Sequence, residues 1–209
     1  MISVYMENDK SIQEIISSVL EDIKAEILIE PDNAVCGVCN SIGNLVYYCV
    51  YERYITIIED DNIVSARISL RRYRCSICGR THTLVPGTHL IPYGRYSLGF
   101  ILHVLSKHIK KELTVRQITE IYQIAISTFY VWKKRFIRFY ELLKGKLKAK
   151  EKSYTEALED IRSDKQISFR LYSFTKKYKF CFLQNTMKRK RPYIFVISGY
   201  FISFSRGSP

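Results

Sequence analysis

The sequence predicts an α+β fold in which a small β-hairpin unit precedes a helical unit. Two close cysteine pairs flank segments rich in Val, Ile, Tyr and Thr, an aromatic stripe at helical spacing follows, and positive charge is concentrated after residue 70. These observations divide the chain into an acidic N-terminal helix over 1–34, the hairpin unit over 35–95, the helical unit over 96–145 and a basic tail over 146–209.

The charge of the chain is strongly asymmetric. Its 209 residues carry 33 basic and 20 acidic side chains, which gives a formal net charge of +13. Residues 1–70 hold 4 basic and 12 acidic groups, whereas residues 71–209 hold 29 basic and 8 acidic groups. A positive balance of this size favours a polyanionic ligand, and we expect that ligand to meet the second part of the chain.

The sequence lacks the signals of membrane insertion and of secretion. No apolar run reaches the length of a membrane span, and the N-terminus lacks the basic start and continuous apolar stretch of a signal peptide. We therefore expect a cytoplasmic protein without a membrane partner. Cytoplasmic thiols stay reduced, so the six cysteines are not expected to form disulfides.

The first two elements follow from local patterns. An amphipathic helix is predicted over 11–28, with an acidic outer face and an apolar stripe that should pack on the next unit. The β-rich segments 45–58 and 66–74 flank a turn-like stretch at 59–62 and should form a long hairpin.

The rest of the chain gives weaker local signals. Prolines and glycines between Gly79 and Gly94 indicate a loop, and Ser97 is placed to cap a helix that runs to about Lys110. In the tail we expect a basic linker or helix end at 144–152 and a short helix near 155–161. Two aromatic-rich, strand-like segments should follow, one on each side of the KRKR run at 188–191.

The cysteine pairs carry the most specific chemistry. They are Cys36-x-x-Cys39 and Cys75-x-x-Cys78, and two intervening residues let one tight turn aim both sulfurs at the same point. Four sulfurs suit the tetrahedral coordination of zinc. The 35 residues between the pairs exceed the usual spacing, but a hairpin that runs out and returns accounts for them. This architecture is that of a zinc ribbon with a structural Zn²⁺ ion and a closed coordination sphere.

Other interpretations of these residues remain open. The four cysteines could instead be reduced thiols without a function, or one pair could be a redox C-x-x-C motif. The βαβ pattern that accompanies a redox motif is absent from the sequence. His82 is an alternative ligand, but its position favours an ordinary loop histidine. Gly37 and Gly79 are expected to supply the tight backbone of the two turns, and Cys49 and Cys181 are thiols outside the site.

An aromatic stripe predicts a long helix with two different faces. The stripe recurs at intervals of three and four residues and comprises Phe129, Trp132, Phe136, Phe139 and Leu143. Before it, Thr114 should cap a helix over 115–122, residues 123–125 should form a turn, and Ile124 should pack beneath that turn. Two helices joined in this way, the second basic, match an all-α helix-turn-helix domain. The alternative is a plain amphipathic helix with a solvated basic face.

A helix-turn-helix assigns roles to the polar residues of the second helix. Its first turn reaches base edges in the major groove, and here it presents Ser127, Thr128 and Tyr130. Basic residues that follow, together with one at the start of the first helix, are candidates for phosphate contacts: Lys133, Lys134, Arg135, Arg138 and Arg116.

Two stretches resemble parts of bacterial insertion-sequence transposases. RRYRCSICGRTHTLVP resembles the second knuckle of their N-terminal zinc ribbons, and ITEIYQIAISTFYVWKKRF resembles their helix-turn-helix. The order of these parts is similar to that of an uncharacterised family from clostridia and other Gram-positive bacteria. The resemblance covers about 35–143 and implies that the four paired cysteines bind the metal ion and that Ser127, Thr128, Tyr130 and Lys134 face DNA. Ala125 departs from the pattern because a polar N-cap is expected there.

The sequence does not predict an enzyme. Transposases hold catalytic metal ions with carboxylates from distant strands, whereas the five acids after Lys150 fall within 14 residues: Glu151, Glu156, Glu159, Asp160 and Asp164. We therefore expect a zinc-binding, DNA-binding protein related to transposases but without their catalytic domain, either stand-alone or truncated. Duplex DNA is the expected partner, with a second copy of the chain or a transposition partner protein as further candidates. The alternatives are a protein-interaction or scaffold module built on a zinc ribbon, and an RNA binder.

Overall fold

A computed structural model describes most of the chain between residues 30 and 204. The described residues are 21, 23, 25, 30–59, 62–87, 89–92, 94–143, 167–178, 182–183, 193–197 and 200–204. Most of the helix predicted over 11–28, the predicted segments at 144–152 and 155–161, the KRKR run and Cys181 lie outside them. Ile23, which lies within that helix, is helical and buried in the main core.

The fold combines one mixed β-sheet with α-helices, as the α+β prediction required. The sheet has five strands in the order β1-β2-β3-β4-β5. These are β1 Leu45–Glu59, β2 Asn62–Cys75, β3 Thr81–Pro86, β4 Tyr193–Ile197 and β5 Tyr200–Phe204. Neighbouring strands are antiparallel except β3 and β4, which are parallel.

The predicted hairpin is confirmed, and it is longer than expected. Strand β2 begins at Asn62 rather than at 66 because the inward positions continue back to Val64, which is buried. The loop expected between Gly79 and Gly94 was wrong for its first part. Strand β3 occupies Thr81–Pro86 there, and Leu84 and Val85 fill two different cores from its opposite faces.

Three helices follow the predicted boundaries closely, and a fourth forms where a strand was expected. They are α1 Leu98–Ile109, α2 Val115–Ile121, α3 Ile126–Leu143 and α4 Ile167–Tyr178. Ser97 caps α1 by accepting a hydrogen bond from the Phe100 N–H at 3.0 Å, and Thr114 caps α2 in a reciprocal capping box with Gln117. Residues 122–125 join α2 to α3, and Ile124 is buried.

Helix α4 corrects the prediction for the segment before the KRKR run. We expected a strand because the segment is rich in aromatic residues, but its apolar positions recur at helical spacing. Leu171, Phe174 and Thr175 are buried on one face of α4. After the KRKR run the chain forms the β4–β5 hairpin, which extends the sheet through β3.

Two cores lie on opposite faces of the sheet. The larger core joins the hairpin to α1, α3, α4 and the segment at 182–183, and in it Tyr96, Phe100 and Trp132 make ring contacts. Inside it the predicted stripe is buried at Phe129, Trp132, Phe136 and Phe139. The smaller core lies near the cysteines and contains Ala34, Tyr73, Leu84, Ile194 and Val196.

The start of α3 offers a test of this structure through helix capping. Helix α3 begins at Ile126, so the exposed Ala125 lies at the N-cap position, where a polar side chain is usual. Only the Ala125 backbone takes part in the cap, because its carbonyl accepts a hydrogen bond from the Phe129 N–H at 3.1 Å. We predict that Ala125→Ser raises the free energy of unfolding by about 1 kcal/mol, because a hydroxyl would accept a free N–H of the first turn. Urea denaturation measures the change.

The matched control is the cap of α2. Thr114→Ala should lower the free energy of unfolding by about 1 kcal/mol because it removes an existing capping box. If Thr114→Ala destabilises the protein while Ala125→Ser has no effect, the first turn of α3 is not open as described.

Candidate functional site

The four paired cysteines converge at the base of the β1–β2 hairpin. All four Sγ atoms lie within 4.8 Å of one another. The Sγ atoms of Cys36 and Cys78 are 3.7 Å apart, and those of Cys39 and Cys75 are 3.6 Å apart. A tetrahedral zinc site with Zn–S bonds of ~2.3 Å has sulfur–sulfur edges of about 3.8 Å, whereas a disulfide bond is ~2.05 Å long. The arrangement therefore fits a four-coordinate metal ion.

The two cysteine turns have the same backbone hydrogen bonding. In each, the N–H four residues after the first cysteine donates to the carbonyl of that cysteine, and the N–H of the first cysteine donates to the carbonyl five residues on. The pairs are Asn40 to Cys36 and Gly79 to Cys75, both 2.9 Å, then Cys36 to Ser41 at 2.8 Å and Cys75 to Arg80 at 2.9 Å. Two copies of one turn thus face each other across the site.

Each turn needs a residue in the left-handed region at the same position. Gly79 has φ +69°, and Asn40, its counterpart, has φ +60°. Asparagine tolerates this region better than most residues with a side chain. In the first turn the left-handed residue is Asn40, and Gly37 is not among the described residues with positive φ.

His82 lies against the sulfur cluster rather than in a loop. It is on β3, opposite Tyr73, and is fully buried. Its Nε2 is 3.3 Å from Cys36 Sγ. Burial lowers the pKa of His82, which favours a neutral ring that donates its Nε2–H to the sulfur. A histidine in this position orients a ligand and stabilises its negative charge.

Ser41 also lies at the sulfur cluster, and the sequence did not single it out. Its Oγ lies 3.2 Å from Cys39 Sγ and 3.3 Å from Cys75 Sγ. Hydrogen bonding from Ser41 is the main cause of the lowered pKa of Cys39. Burial acts to raise the pKa of Cys75, but Ser41 and two backbone N–H groups outweigh it and the pKa is lowered.

Cys36 behaves in the opposite way. Burial raises the pKa of its thiol, and this outweighs its backbone hydrogen bonds. A metal ion deprotonates coordinating thiols outright. A metal ion bound here would displace the proton of Cys36, and His82, 3.3 Å from its Sγ, would stabilise the thiolate.

One face of α3 is open to solvent. Ser127, Tyr130, Lys134 and Arg138 are exposed, and at 100° per residue they share one side of the helix. Ile126 and Val131 are exposed on the same side, whereas Thr128 lies at its margin and is half-buried. The opposite side is the buried aromatic stripe.

The other predicted contact residues are engaged within the chain. Lys133 Nζ lies 3.2 Å from His108 Nε2, and burial together with the Lys133 charge lowers the pKa of His108, so that a neutral ring can accept from the ammonium group. Arg135 donates to the Leu183 carbonyl at 3.2 Å and is half-buried. Arg116 is exposed but pairs with Glu120 at 3.0 Å.

No helix among the described residues combines the length and apolar character that crossing a membrane requires.

Comparisons with known proteins give one match. Residues 36–129 match the model of a family described as a domain of unknown function, DUF6431. No match was found among curated proteins or among solved structures. The matched segment begins at the first cysteine of the sulfur cluster and ends in the first turn of α3, so this part of the chain, less than half of it, is similar to that domain.

Proposed function

We propose that this chain is a zinc-binding protein that binds duplex DNA through the exposed face of α3. The observation that carries the proposal is the division of α3 into a buried aromatic stripe and an open face on which Ser127 and Tyr130 precede Lys134 and Arg138. Hydroxyl groups at the start of a recognition helix can contact base edges, and the basic residues after them can contact phosphates.

The connection between α2 and α3 supports a helix-turn-helix. Four residues join the two helices, and Tyr122 and Ile124 are buried at this corner. Packing at the corner fixes the start of α3 so that its outer face points to solvent. A major groove could receive that face. Lys133 and Arg135 do not belong to the proposed surface because they contact His108 and Leu183.

Zinc is the metal ion that best suits the sulfur cluster. Four thiolates at tetrahedral spacing form a closed coordination sphere, which is typical of structural zinc sites. We assign Cys36, Cys39, Cys75 and Cys78 as ligands and His82 and Ser41 as residues that orient them. In this proposal the β1–β2 hairpin and the two cysteine turns form a zinc ribbon.

The link to transposases rests on the sequence resemblance alone. The five acids considered as catalytic candidates lie outside the described residues. We propose a binding role in a transposase-related setting.

The metal site can be tested with matched cysteine variants. We predict one zinc ion per chain by native mass spectrometry, and its loss in Cys75→Ser. Cys49→Ser is the control, because Cys49 is on β1 outside the sulfur cluster and should keep the metal ion. His82→Asn should weaken zinc binding by roughly 10–100-fold, since it alters the group that stabilises Cys36. Retention of full zinc content by Cys75→Ser would contradict the assignment.

The DNA site can be tested by removing two charges from α3. We predict that Lys134→Gln/Arg138→Gln weakens binding to a random-sequence duplex by at least roughly tenfold, and that the slope of log affinity against log salt falls by about 2. Fluorescence anisotropy over a range of salt concentrations measures both quantities on the zinc-loaded protein.

The control has the same change in net charge. Arg67→Gln/Lys176→Gln removes two exposed charges that are on β2 and α4, outside the proposed surface, and should leave affinity close to that of the parent. Equal losses in both double variants would show that only overall charge matters. Binding that does not depend on salt, or none at all, would exclude the DNA proposal in favour of a protein-interaction module.

A further inference from the structure

The arginines of β2 differ in their partners according to the face of the sheet on which they lie. Arg67 pairs with Glu52, and Arg71 pairs with Glu30 at 2.5 Å. Arg72 and Arg74 alternate with these along the strand and so lie on the other face. Within the part of the chain that the structure describes, neither Arg72 nor Arg74 pairs with a carboxylate.

A β-bulge brings two tyrosines to the face that carries Arg72 and Arg74. The register of β1 against β2 shifts between Tyr47 and Cys49, so that one residue is inserted. Because of this insertion, Tyr48 and Tyr51 share a face although they are three residues apart. The guanidinium carbon of Arg72 lies 4.4 Å from the centroid of the Tyr51 ring, and that of Arg74 lies 6.0 Å from the centroid of Tyr48.

The two guanidinium groups are fixed but not saturated. Arg72 donates from Nε to Thr83 Oγ1 at 3.4 Å, and Arg74 donates from Nε to the Gly79 carbonyl at 3.3 Å. Among the described residues, no hydrogen bond uses the terminal nitrogens of either group. The tyrosine contacts and the Nε hydrogen bonds therefore orient both guanidinium groups and leave their terminal N–H groups available as donors. Phosphate recognition by arginine uses donors arranged in this way.

We propose that Arg72, Arg74, Tyr48 and Tyr51, here called the arginine–tyrosine patch, form a second site that binds the phosphate backbone of duplex DNA. Alternate residues on a strand are ~6.7 Å apart, which is close to the separation of neighbouring phosphates along one DNA strand. This inference rests on the proposed function, because the ligand is the duplex that α3 would hold.

The geometry favours phosphates over unstacked bases as the ligand of the patch. Single-stranded nucleic acids bind such surfaces mainly by stacking bases on open aromatic rings. In the patch, Arg72 lies over Tyr51 and occupies one face of that ring. The ring then acts as a support for the guanidinium group, and the charge-assisted donors of the arginine are what the ligand meets.

The test is the double variant Arg72→Gln/Arg74→Gln. We expect affinity for a random-sequence duplex to fall by at least roughly tenfold and the salt slope by about 2, because two phosphate contacts are lost. Arg67→Gln/Lys176→Gln is again the charge-matched control and should bind like the parent. Zinc content and circular dichroism establish that both variants are folded, and Arg72→Lys/Arg74→Lys, which keeps the charge, should recover part of the affinity and slope.

The outcomes separate this inference from the proposed function. If the α3 variant loses affinity and the patch variant does not, the patch inference is wrong and the α3 site stands. If only the patch variant loses affinity, the α3 proposal is wrong. If the patch variant loses binding to single-stranded DNA or RNA but keeps duplex binding, the patch is a single-strand site and the inference is overturned.

Discussion

The end of the β1–β2 hairpin that carries the cysteines has little apolar core to hold it together. Among the residues whose burial the structure describes, the smaller core contains five, whereas the larger core, at the other end of the hairpin, draws on all four helices. Burial of so few side chains contributes little free energy, and small units of this kind usually need a metal ion or another cross-link. A metal ion held by the four sulfur atoms, whose spacing suits tetrahedral coordination, would supply the constraint on which the paired turns and the start of the sheet depend.

The same hairpin connects the metal end of the molecule to α3. Ile55 and Ile57 on β1 are buried in the core that also contains Phe129 and Phe136 of α3. Arg135 of α3 also donates to the Leu183 carbonyl, which joins the helix to the segment at 182–183 in the same core. Because closely packed interiors move as units, the position of α3 relative to the hairpin is set by side-chain packing rather than by the short turn alone. A recognition helix needs this kind of rigid support if its first turn is to reach base edges reproducibly.

Periodic and closely spaced sequence signals predicted most of the helices and strands and the clustering of the four cysteines. The C-x-x-C spacing brought together all four cysteines, and the three- and four-residue spacing of aromatics gave the buried stripe of α3. Contacts across long sequence separations were not predicted: His82 was considered only as an alternative ligand but meets Cys36 from 46 residues away, and Arg135, expected to contact phosphate, meets Leu183 from 48. Neither residue type nor local spacing encodes such pairings.

Two elements, α4 and β3, were predicted wrongly because the prediction followed amino-acid composition rather than the spacing of apolar residues. Aromatic residues suggested a strand where α4 forms, although Leu171 and Phe174 are at helical spacing. Glycines and prolines suggested a loop where β3 forms, yet Leu84 lies between Tyr73 and Ile194 in the smaller core. In both places tertiary packing decides the outcome.

Net charge alone does not show where a polyanion would bind, because many charges are neutralised within the chain. Three exposed or half-buried arginines already pair with carboxylates: Arg67 with Glu52, Arg71 with Glu30, and Arg116 with Glu120. Lys134 and Arg138 on α3, and Arg72 and Arg74 on β2, have no such partner within the described residues. A ligand phosphate can replace water at these four groups without breaking an ion pair. Among the described residues, these four groups place unpaired positive charge on one helix face and one strand face.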